Sequence, residues 1–359
     1  MIKKHRFPYN WTLKEAVFTK DKGTVFSCFA CGGGSTMGYK LAGFDVLGCN
    51  EIDPKMIEAY KANHNPKYAY LESIQTFKLR TDLPDELYDL DILDGSPPCS
   101  SFSMAGNREN DWGKDKVFRE GQAMQVLDTL FFDFIDLAKK LQPKVVVAEN
   151  VKGLLLGGAK SYVRQIYREF DLAGYYCQHW LLDASKMGVP QRRQRVFFIA
   201  LRKDLAEPFL VQQDMFTVNP ELKLEFNEKS ILFKDIYEKG ICDTNHKKES
   251  RLYDFWLKRK EKDTAMSDIV LREENRLSMF NVCLIKANEV HPTYVRQDRG
   301  LLYDEYRSVN KLESCKIGSF PKDYNFLKLN YGYLIGMSVP PVMTAQIATE
   351  IYNQWLSKL

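Results

Sequence analysis

The sequence lacks any long apolar run. No stretch of its 359 residues approaches the ~20 consecutive apolar residues that a membrane-spanning helix needs. The beginning, MIKKHRFPYNWTLKEAVF, carries basic residues but no apolar segment ahead of an Ala-x-Ala-like cleavage site. We therefore expect a soluble protein that works in the cytoplasm.

The sequence also lacks a strong excess of one charge. It has 51 Lys and Arg against 47 Asp and Glu, a formal net charge of +4. Such a charge is compatible with a polyanionic partner, but it is common among ordinary enzymes and decides nothing. With 45% hydrophobic and 27% charged residues the chain can bury a large core. Its length predicts one large domain that carries a smaller one.

Cysteine pairs that would indicate a disulfide or zinc framework are missing. The eight cysteines are scattered along the chain, as is typical of reduced thiols. Cys28 and Cys31 form a C-x-x-C, but no second pair supplies metal spacing, so no metal is expected. A redox role for this pair is the weaker interpretation, because Cys28 lies within an apolar strand. We expect both cysteines to be packing residues.

The first half of the chain alternates short apolar strands with helices. One helix is opened by Asp53 with Pro54 at its first position, and LDTLFFDFIDLAKKL places an apolar stripe on one helical face. This alternation predicts the α/β class, with a doubly wound, mostly parallel sheet. The predicted strands are GTVFSCF (23–29), GFDVLGCNE (43–51), LDILDGS (90–96), VVVAEN (145–150) and VFFIALRK (196–203).

The alternation stops after residue 203. Roughly the next hundred residues mix charges of both signs with isolated aromatic residues and show no clear period. The end, SVPPVMTAQIATEIYNQWL, returns to an amphipathic helix able to pack on the sheet. We therefore predict a larger domain formed by residues 1–203 and 328–359, and a smaller irregular domain over 204–327.

A run of glycines follows the first predicted strand. Gly32, Gly33 and Gly34 lie where the backbone can approach a ligand closely and where a helix directs its positive end. Glu51 ends the next strand, where such folds place a carboxylate on ribose hydroxyls. Together they predict a nucleoside-containing cofactor. The spacing is not G-x-G-x-x-G, so a dinucleotide is not favoured over S-adenosylmethionine. A turn needed only for tight packing is the alternative.

Two further segments end at the sheet's carboxyl edge, where open α/β sheets bind ligands. Pro97 and Pro98 fix the backbone just before Cys99. A buried structural cysteine is the alternative interpretation of that thiol. Glu149 and Asn150 end a neighbouring buried strand, where a carboxylate is costly unless a donor or a ligand meets it.

A third segment, VPQRRQRVFFIA, is predicted to reach the same edge. Gln191, Arg193 and Arg195 occupy alternate positions, so they would share one face of an extended segment. A solvated arginine run is the alternative, although the run leads directly into an apolar strand.

These residue types match one reaction. Carbon 5 of cytosine is a poor nucleophile, and a thiolate that adds at carbon 6 makes carbon 5 enamine-like and able to accept a methyl group from a sulfonium donor. A carboxylic acid at N3 promotes the addition, and arginines can hold the carbonyl oxygen and phosphates. Methylation of an exocyclic amine needs no thiol and typically uses a Pro-Pro-aromatic turn, whereas SPPC ends in Cys.

With these motifs in order, the sequence resembles the C5-cytosine DNA methyltransferases over almost the whole chain. The resemblance implies a class I S-adenosylmethionine-dependent methyltransferase fold, which is Rossmann-like, and a target-recognition role for the irregular domain. The similar segments are FACGGG and NEID (cofactor motifs), GSPPCSSFS (nucleophile motif), AENVKG (catalytic acid), QRRQR (Gln-x-Arg-x-Arg), and GSFPKDYNF and YGYLIGMSVPP (the last two motifs).

Carried over residue by residue, the resemblance implies Cys99 as the nucleophile, Glu149 as the acid at N3, and Arg193 and Arg195 around a flipped-out cytosine. Phe29 and Ile52 would flank the adenine of the cofactor, and Glu51 would take its ribose. The implied substrate-binding residues are Asn150, Gln191, Ser101 and Ser103. The implied cofactor-binding residues are Phe29, Ala30, Gly32, Gly33, Gly34, Glu51, Ile52, Ser73, Ile74, Ser96, Pro97, Leu130, Ser338 and Val339.

Five positions depart from the family pattern. Leu127 replaces the arginine often found two residues before the Thr-Leu pair of the long helix. Cys31 stands where a glycine is usual, and Ser73 where an aspartate commonly receives the adenine amino group. Met337 replaces an asparagine. Leu312 lies in NKLESCK, which keeps Glu313 but lacks the usual Pro-Arg before it. None of these is a predicted catalytic residue, so we expect an active enzyme.

The resemblance also implies S-adenosyl-L-methionine as the methyl donor and double-stranded DNA as the substrate, with the loop SMAGNRENDWGKDK closing on the DNA. It implies a bacterial or phage restriction-modification setting, with a cognate restriction endonuclease as partner, a monomer, and a cytoplasmic location at the nucleoid when on DNA. Two alternatives remain open: a tRNA cytosine as the substrate, and a DNA-binding regulator with an inactive core.

Overall fold

The chain divides into two compact units. The computed structural model describes residues 5–98, 115–116, 125–126, 129–156, 159–212, 217–240, 246–277, 282–295 and 300–359. The unit that contains the large sheet, here called the sheet unit, comprises 17–183, 194–225 and 344–359. The second unit comprises 1–16, 184–193 and 226–343. The sequence predicted domain boundaries at 203/204 and 327/328. These boundaries separate the domains by their proposed roles, so they stay predictions.

Regular elements occur throughout both units. The strands are β1 (Thr24–Cys28), β2 (Asp45–Glu51), β3 (Tyr68–Leu71), β4 (Ile92–Gly95), β5 (Asp115–Lys116), β6 (Gln125–Val126), β7 (Val145–Val151), β8 (Tyr175–Asp183), β9 (Gln194–Arg202), β10 (Leu210–Gln212), β11 (Val218–Pro220), β12 (Cys283–Ile285) and β13 (Gly300–Leu302). The helices are α1 (Gly34–Leu41), α2 (Pro54–His64), α3 (Ile74–Phe77), α4 (Leu130–Leu141), α5 (Lys160–Leu172), α6 (Phe233–Ile236), α7 (Arg251–Leu257), α8 (Met266–Glu274), α9 (Lys311–Ile317), α10 (Tyr331–Met337) and α11 (Pro341–Gln354). Among the described residues, no helix is both long and apolar enough to cross a membrane.

Seven strands form the sheet of the sheet unit, in the order β3-β2-β1-β4-β7-β9-β8. The strands from β3 to β7 pair in parallel, and β9 runs antiparallel to both β7 and β8. The predicted doubly wound, mostly parallel sheet is confirmed. The chain moves outward from β1 to β3 and then returns to β4 on the other side of β1. The carboxyl ends of β1 and β4 therefore meet at a topological switch point, where such sheets bind ligands.

The elements around the switch point begin and end where the local sequence requires it. Helix α2 starts at Pro54, and the Asp53 side chain caps it by accepting hydrogen bonds from the N–H groups of Lys55 (2.8 Å) and Met56 (3.3 Å). Helix α4 packs on the sheet through the apolar stripe that the sequence predicted, apart from Leu127, which lies outside the described residues. The buried residues of α4 are Leu130, Phe131, Phe134, Ile135, Leu137, Ala138 and Leu141.

The second unit is built from short elements. Its helices α6 to α10 have between four and nine residues, and its strands β12 and β13 pair in parallel over three residues. Elements this short cannot display a period over the window that pattern analysis needs. That is why the sequence shows only an irregular region where the structure has ordered helices and strands.

A buried ion pair braces the second unit. Glu313 is fully buried, and its carboxylate accepts hydrogen bonds from both terminal nitrogens of Arg307 at 2.8 and 2.9 Å. The backbone N–H groups of Asn310 (2.9 Å) and Glu238 (3.0 Å) donate to the same carboxylate. A buried carboxylate is tolerated when its acceptors are filled in this way. Arg307 thus supplies the cation that Leu312, in the departing motif, cannot.

Two glycines of the sheet unit provide a matched test of the turn after β1. Gly33 and Gly174 both have left-handed backbones, with φ of 82° and 93°. A Cβ on Gly33 would lie 2.2 Å from Nε2 of His64, whereas a Cβ on Gly174 would meet nothing within 4 Å. We expect Gly174→Ala to lower the free energy of unfolding by about 1 kcal/mol through backbone strain alone. Gly33→Ala should cost about 3 kcal/mol, because overpacking adds to the strain.

Urea unfolding of both variants beside the native protein measures this difference. Equal losses would show that the His64 ring can move aside and that the turn has no steric requirement for glycine.

Candidate active site

The turn between β1 and α1 is shaped by residues with left-handed backbones. Phe29, Cys31 and Gly33 have φ of 52°, 49° and 82°. The buried ring of His64 lies behind this turn, with Nε2 at 3.3 Å from the carbonyl oxygen of Gly32. Burial lowers the pKa of His64 to about 3, so the ring is neutral. A neutral ring against the backbone leaves no room for a side chain at Gly33.

Glu51 is fixed against the same turn. Glu51 is 7% exposed. One oxygen of its carboxylate accepts a hydrogen bond from the N–H of Cys31 (2.7 Å), and the other accepts from the N–H of Asp53 (2.9 Å). Burial raises the pKa of Glu51, and the backbone donors oppose that shift. Each oxygen keeps a further lone pair, so this carboxylate can also accept from the hydroxyls of a ribose. The departure at Cys31 leaves this arrangement intact, because Cys31 contributes its N–H.

Strand β4 leads into the turn that precedes Cys99. The amide nitrogen of Asn150 donates to the carbonyl oxygen of Pro97 at 3.1 Å, and Oδ1 of Asn150 accepts from the N–H of Val151 at 2.9 Å. Asn150 is buried, so this hydrogen bond holds the carbonyl two residues before the predicted nucleophile. Cys99, together with Ser101 and Ser103, lies outside the described residues, and the roles given to these three stay predictions.

Glu149 and Arg195 form an ion pair at this edge of the sheet. Glu149 on β7 pairs with Phe197 on β9, and Arg195 pairs with Val151. Since the two residues are diagonal neighbours, their side chains share one face. Nε of Arg195 lies 2.9 Å from Oε1 of Glu149, with the side chains 17% and 13% exposed. The sequence predicted that this carboxylate needs a donor or a ligand, and the structure provides the donor.

Gln191 and Arg193 do not continue the strand that contains Arg195. Strand β9 begins only at Gln194, and the two residues before it belong to the second unit. The Arg193 guanidinium, on a residue that is 3% exposed, donates to the carbonyl oxygens of Tyr294 (3.0 Å), Gly336 (3.0 Å) and Ser338 (3.1 Å). The common face predicted for all three side chains stays a prediction.

Gln191 is held in the same manner as Arg193. It is 1% exposed, donates to the carbonyl oxygen of Ile317 at 2.9 Å and accepts from the N–H of Tyr294 at 3.2 Å. The substrate-binding roles given to Gln191 and Arg193 stay predictions, and the contacts that the structure shows for both are with backbone of the second unit.

The other predicted cofactor residues occupy ordinary structural positions. Ser73 caps α3 by accepting from the N–H of Thr76 at 3.1 Å. The Phe29 ring lies 6.3 Å from that of Phe134. Ile52 and Ser96 are half-buried, and the backbone of Gly32 to Gly34 is buried. Buried side chains are those of Ala30, Ile74, Pro97 and Leu130 in the sheet unit and Ser338 and Val339 in the second unit.

Asp94 is a polar site residue that the sequence patterns did not single out. It lies on β4, is 4% exposed, and accepts hydrogen bonds from the hydroxyls of Ser27 (2.7 Å), Ser35 (2.8 Å) and Tyr39 (3.2 Å). Burial raises the pKa of Asp94 to about 6, with the three hydroxyls opposing and the charge of Glu149 adding to the shift. The sequence did contain a signal for it, because Asp94 is an acidic residue within β4, a strand whose other residues are apolar or glycine.

The redox interpretation of the C-x-x-C is not supported. Cys28 is 1% exposed, and burial raises its pKa well above the ordinary value of a thiol. Redox-active cysteines of this spacing have lowered pKa values, because the thiolate is the reactive form. Cys28 is therefore a packing residue, as predicted.

Known proteins share the fold of this chain and are similar to it in sequence. A candidate DNA modification methyltransferase encoded within an Escherichia coli prophage superposes with a TM-score of 0.63 at 21% identity, covering 92% of this chain and 99% of that chain. Dnmt2 of Spodoptera frugiperda superposes with a TM-score of 0.58 at 17% identity, covering 92% and 99%. The fold is that of the class I methyltransferases.

The sequence comparisons are more specific. The family model for C-5 cytosine-specific DNA methylases matches residues 23–353, so the chain belongs to that family and is a cytosine-5 DNA methyltransferase. The type II methyltransferase M.FnuDI of Fusobacterium nucleatum is 28% identical over 91% of this chain and 93% of that protein. M.NgoPII of Neisseria gonorrhoeae is 28% identical over 91% and 94%. These relatives favour neither the tRNA substrate nor the inactive regulator.

The raised pKa of Asp94 predicts how stability depends on pH. The folded-state pKa of about 6 lies above the ~3.9 of an unfolded chain. The folded protein therefore holds this proton more tightly, and the stability that the group contributes at low pH is lost as the pH rises through about 6. Relative to Asp94→Asn, which does not titrate, the native protein should lose about 1.5 kcal/mol between about pH 5 and about pH 7.5.

Urea unfolding of the two proteins at both pH values measures this loss, and other titrating groups cancel in the comparison. Parallel pH profiles would show that Asp94 does not titrate in this range.

Proposed function

We propose that the enzyme uses S-adenosyl-L-methionine as its methyl donor and binds it at the switch point between β1 and β4. The cofactor supplies an electrophilic methyl group on a sulfonium sulfur. Two observations support this fit. The turn at Gly33 has a left-handed backbone packed so closely on His64 that it has no room for a Cβ, which suits a close approach of bare backbone to a ligand. The Glu51 carboxylate is held by backbone N–H groups, with acceptor capacity left for a ribose. Phe29 and Ile52 would contact the adenine.

We propose Cys99 as the nucleophile. Its thiolate would form a bond to carbon 6 of cytosine, which moves electron density to carbon 5. Carbon 5 would then form a bond to the methyl carbon as the bond from that carbon to the sulfonium sulfur breaks, and a neutral thioether would leave. Loss of the carbon 5 proton to solvent and cleavage of the carbon–sulfur bond would then restore the aromatic ring. The hydrogen bond from Asn150 to the carbonyl of Pro97 supports this role, since it fixes the chain that leads to the thiol.

The ion pair of Glu149 with Arg195 is the observation that carries the mechanism. Arg195 contacts Oε1, at 2.9 Å, so a proton carried on Oε2 could be donated to N3 of the base. Hydrogen bonding at N3 makes carbon 6 more electrophilic, and general acid groups of this kind contribute ~10²–10⁴-fold. Arg195 would in addition orient the carboxyl group, and its remaining N–H donors suit the cytosine carbonyl.

The substrate we propose is a cytosine flipped out of duplex DNA, because a thiolate and a methyl donor cannot reach both faces of a stacked base. We assign target recognition to residues 204–327 and closure over the base to the loop after Cys99. The relatives are named type II methyltransferases, which supports a restriction-modification setting with a cognate endonuclease. A monomer in the cytoplasm suffices for this task.

Removing the acid should reduce turnover without affecting the cofactor. Glu149→Gln keeps the shape of the side chain but removes the carboxyl proton, and we expect kcat to fall ~10²–10⁴-fold. Methyl incorporation into duplex DNA from labelled S-adenosylmethionine measures kcat, and calorimetry on the same variant should give an unchanged Kd for the cofactor.

Glu58→Gln is the matched control, since Glu58 is exposed on α2, where its carboxylate pairs with Lys61. It should leave kcat unchanged. A Glu149→Gln enzyme with native turnover would refute the assigned acid.

Nucleoside mass spectrometry tests the substrate and the nucleophile together. After incubation with S-adenosylmethionine, 5-methylcytosine should appear in duplex DNA and not in bulk tRNA. Cys99→Ala should form none while binding the cofactor normally, because the thiol acts on the base. Product in tRNA alone would overturn the proposed substrate, and product from Cys99→Ala would overturn the nucleophile.

A further inference from the structure

The helix that follows the glycine turn is anchored from the inside of the protein. Helix α1 begins at Gly34, and Gly33 at its N-cap has no side chain with which to cap it. Ser35, the second helical residue, instead donates its hydroxyl to Oδ2 of the buried Asp94 at 2.8 Å. Tyr39, one turn further along, donates to Oδ1 at 3.2 Å. The first turn of α1 is therefore tied to strand β4.

Asp94 connects two segments that are far apart in sequence. On one side it holds α1, which starts directly after the glycine turn. On the other side it lies on β4, which ends at Gly95 and continues into the turn at Pro97. A displacement of either segment would strain the hydrogen bonds at this carboxylate. The two turns predicted to face the cofactor and the base thus share one internal anchor.

The hydroxyl of Ser27 makes a different connection with the same carboxylate. Ser27 lies on β1 in direct register with Asp94 on β4, and its hydroxyl donates to Oδ2 at 2.7 Å. The parallel ladder already joins these two strands over four residue pairs. The bond from Ser27 therefore duplicates a connection that the backbone makes, whereas the bond from Ser35 joins elements that the sheet ladder does not.

The hydrogen bonds of this anchor are stronger when Asp94 is ionised, whereas burial favours its protonated form. An ionised carboxylate accepts stronger hydrogen bonds than a neutral group, and a negative charge near the first turn of a helix is stabilised by the helix dipole. The groups that face Asp94 are the hydroxyls of Ser27, Ser35 and Tyr39, with Cys28 and Glu149 also interacting with it electrostatically. None of these partners, all within the described part of the chain, is a cation, so the hydroxyls and the helix turn carry the stabilisation.

We propose that Ser35 and Asp94 are positioning residues for the methyl donor, which set the first turn of α1, and with it the glycine turn, in the geometry that binds the cofactor. This inference rests on the proposed function of the glycine turn. Neither residue needs to touch the cofactor. Their effect is on the backbone that does, and a misplaced backbone weakens binding even when the fold is retained.

Two serine variants separate a positioning role from a merely structural one. Ser35→Ala and Ser27→Ala each remove one buried hydroxyl that donates to the same oxygen of Asp94. Urea unfolding should show similar losses of stability for the two. Calorimetric titration with S-adenosylmethionine should show Kd raised about tenfold in Ser35→Ala, the size of one charge-assisted hydrogen bond, and raised less than about twofold in Ser27→Ala.

A double-mutant cycle adds a test that does not depend on the native background. If Ser35 acts through Asp94, then Ser35→Ala should raise Kd by a smaller factor in an Asp94→Asn protein than in the native one. Equal Kd values for the two serine variants, or full additivity in the cycle, would overturn the proposal. A native protein that does not bind S-adenosylmethionine would overturn the proposed cofactor as well, so the two failures are distinguishable.

Discussion

The cost of burying a carboxylate at the end of a parallel strand shapes the edge of the sheet at which we propose that the chemistry takes place. Glu51, Asp94 and Glu149 lie at or near the ends of β2, β4 and β7, and all three are largely buried. A buried anion is stable only when donors fill its acceptors. Each of the three carboxylates is therefore paired with hydrogen-bond donors, and the chemical type of donor differs from one carboxylate to the next.

The kind of donor decides what each carboxylate can still do. Asp94 accepts hydrogen bonds from three side-chain hydroxyls, so it can connect β4 to β1 and α1 inside the protein. Glu51 accepts from the backbone N–H groups of Cys31 and Asp53, which leaves acceptor capacity for the ribose that we propose it binds. Glu149 forms an ion pair through Oε1 with Arg195, and we propose that its other oxygen acts on the base. Structural and chemical roles are thus divided by hydrogen-bond saturation.

Local sequence features predicted the strands, the glycine turn and the need of Glu149 for a donor. Such features, namely the spacing of apolar residues and the positions of Gly and Pro, can be recognised within a few residues. The partners of Asp94 were not predictable in that way, since they lie 67, 59 and 55 residues away. Arg307, which compensates for the departure at Leu312, is likewise identified only by the fold of the second unit. Pairings across such separations depend on strand register, which no short window contains.

Two arginines of one motif have different partners in the structure. Arg193 and Arg195 are two residues apart, yet β9 begins between them, at Gln194. Upstream of that point the chain runs irregularly, and the Arg193 guanidinium donates to three backbone carbonyls. Downstream the strand alternation applies, and Arg195 is presented to Glu149. Equal side chains in one motif therefore acquire different partners, because the start of a strand determines which face each can reach.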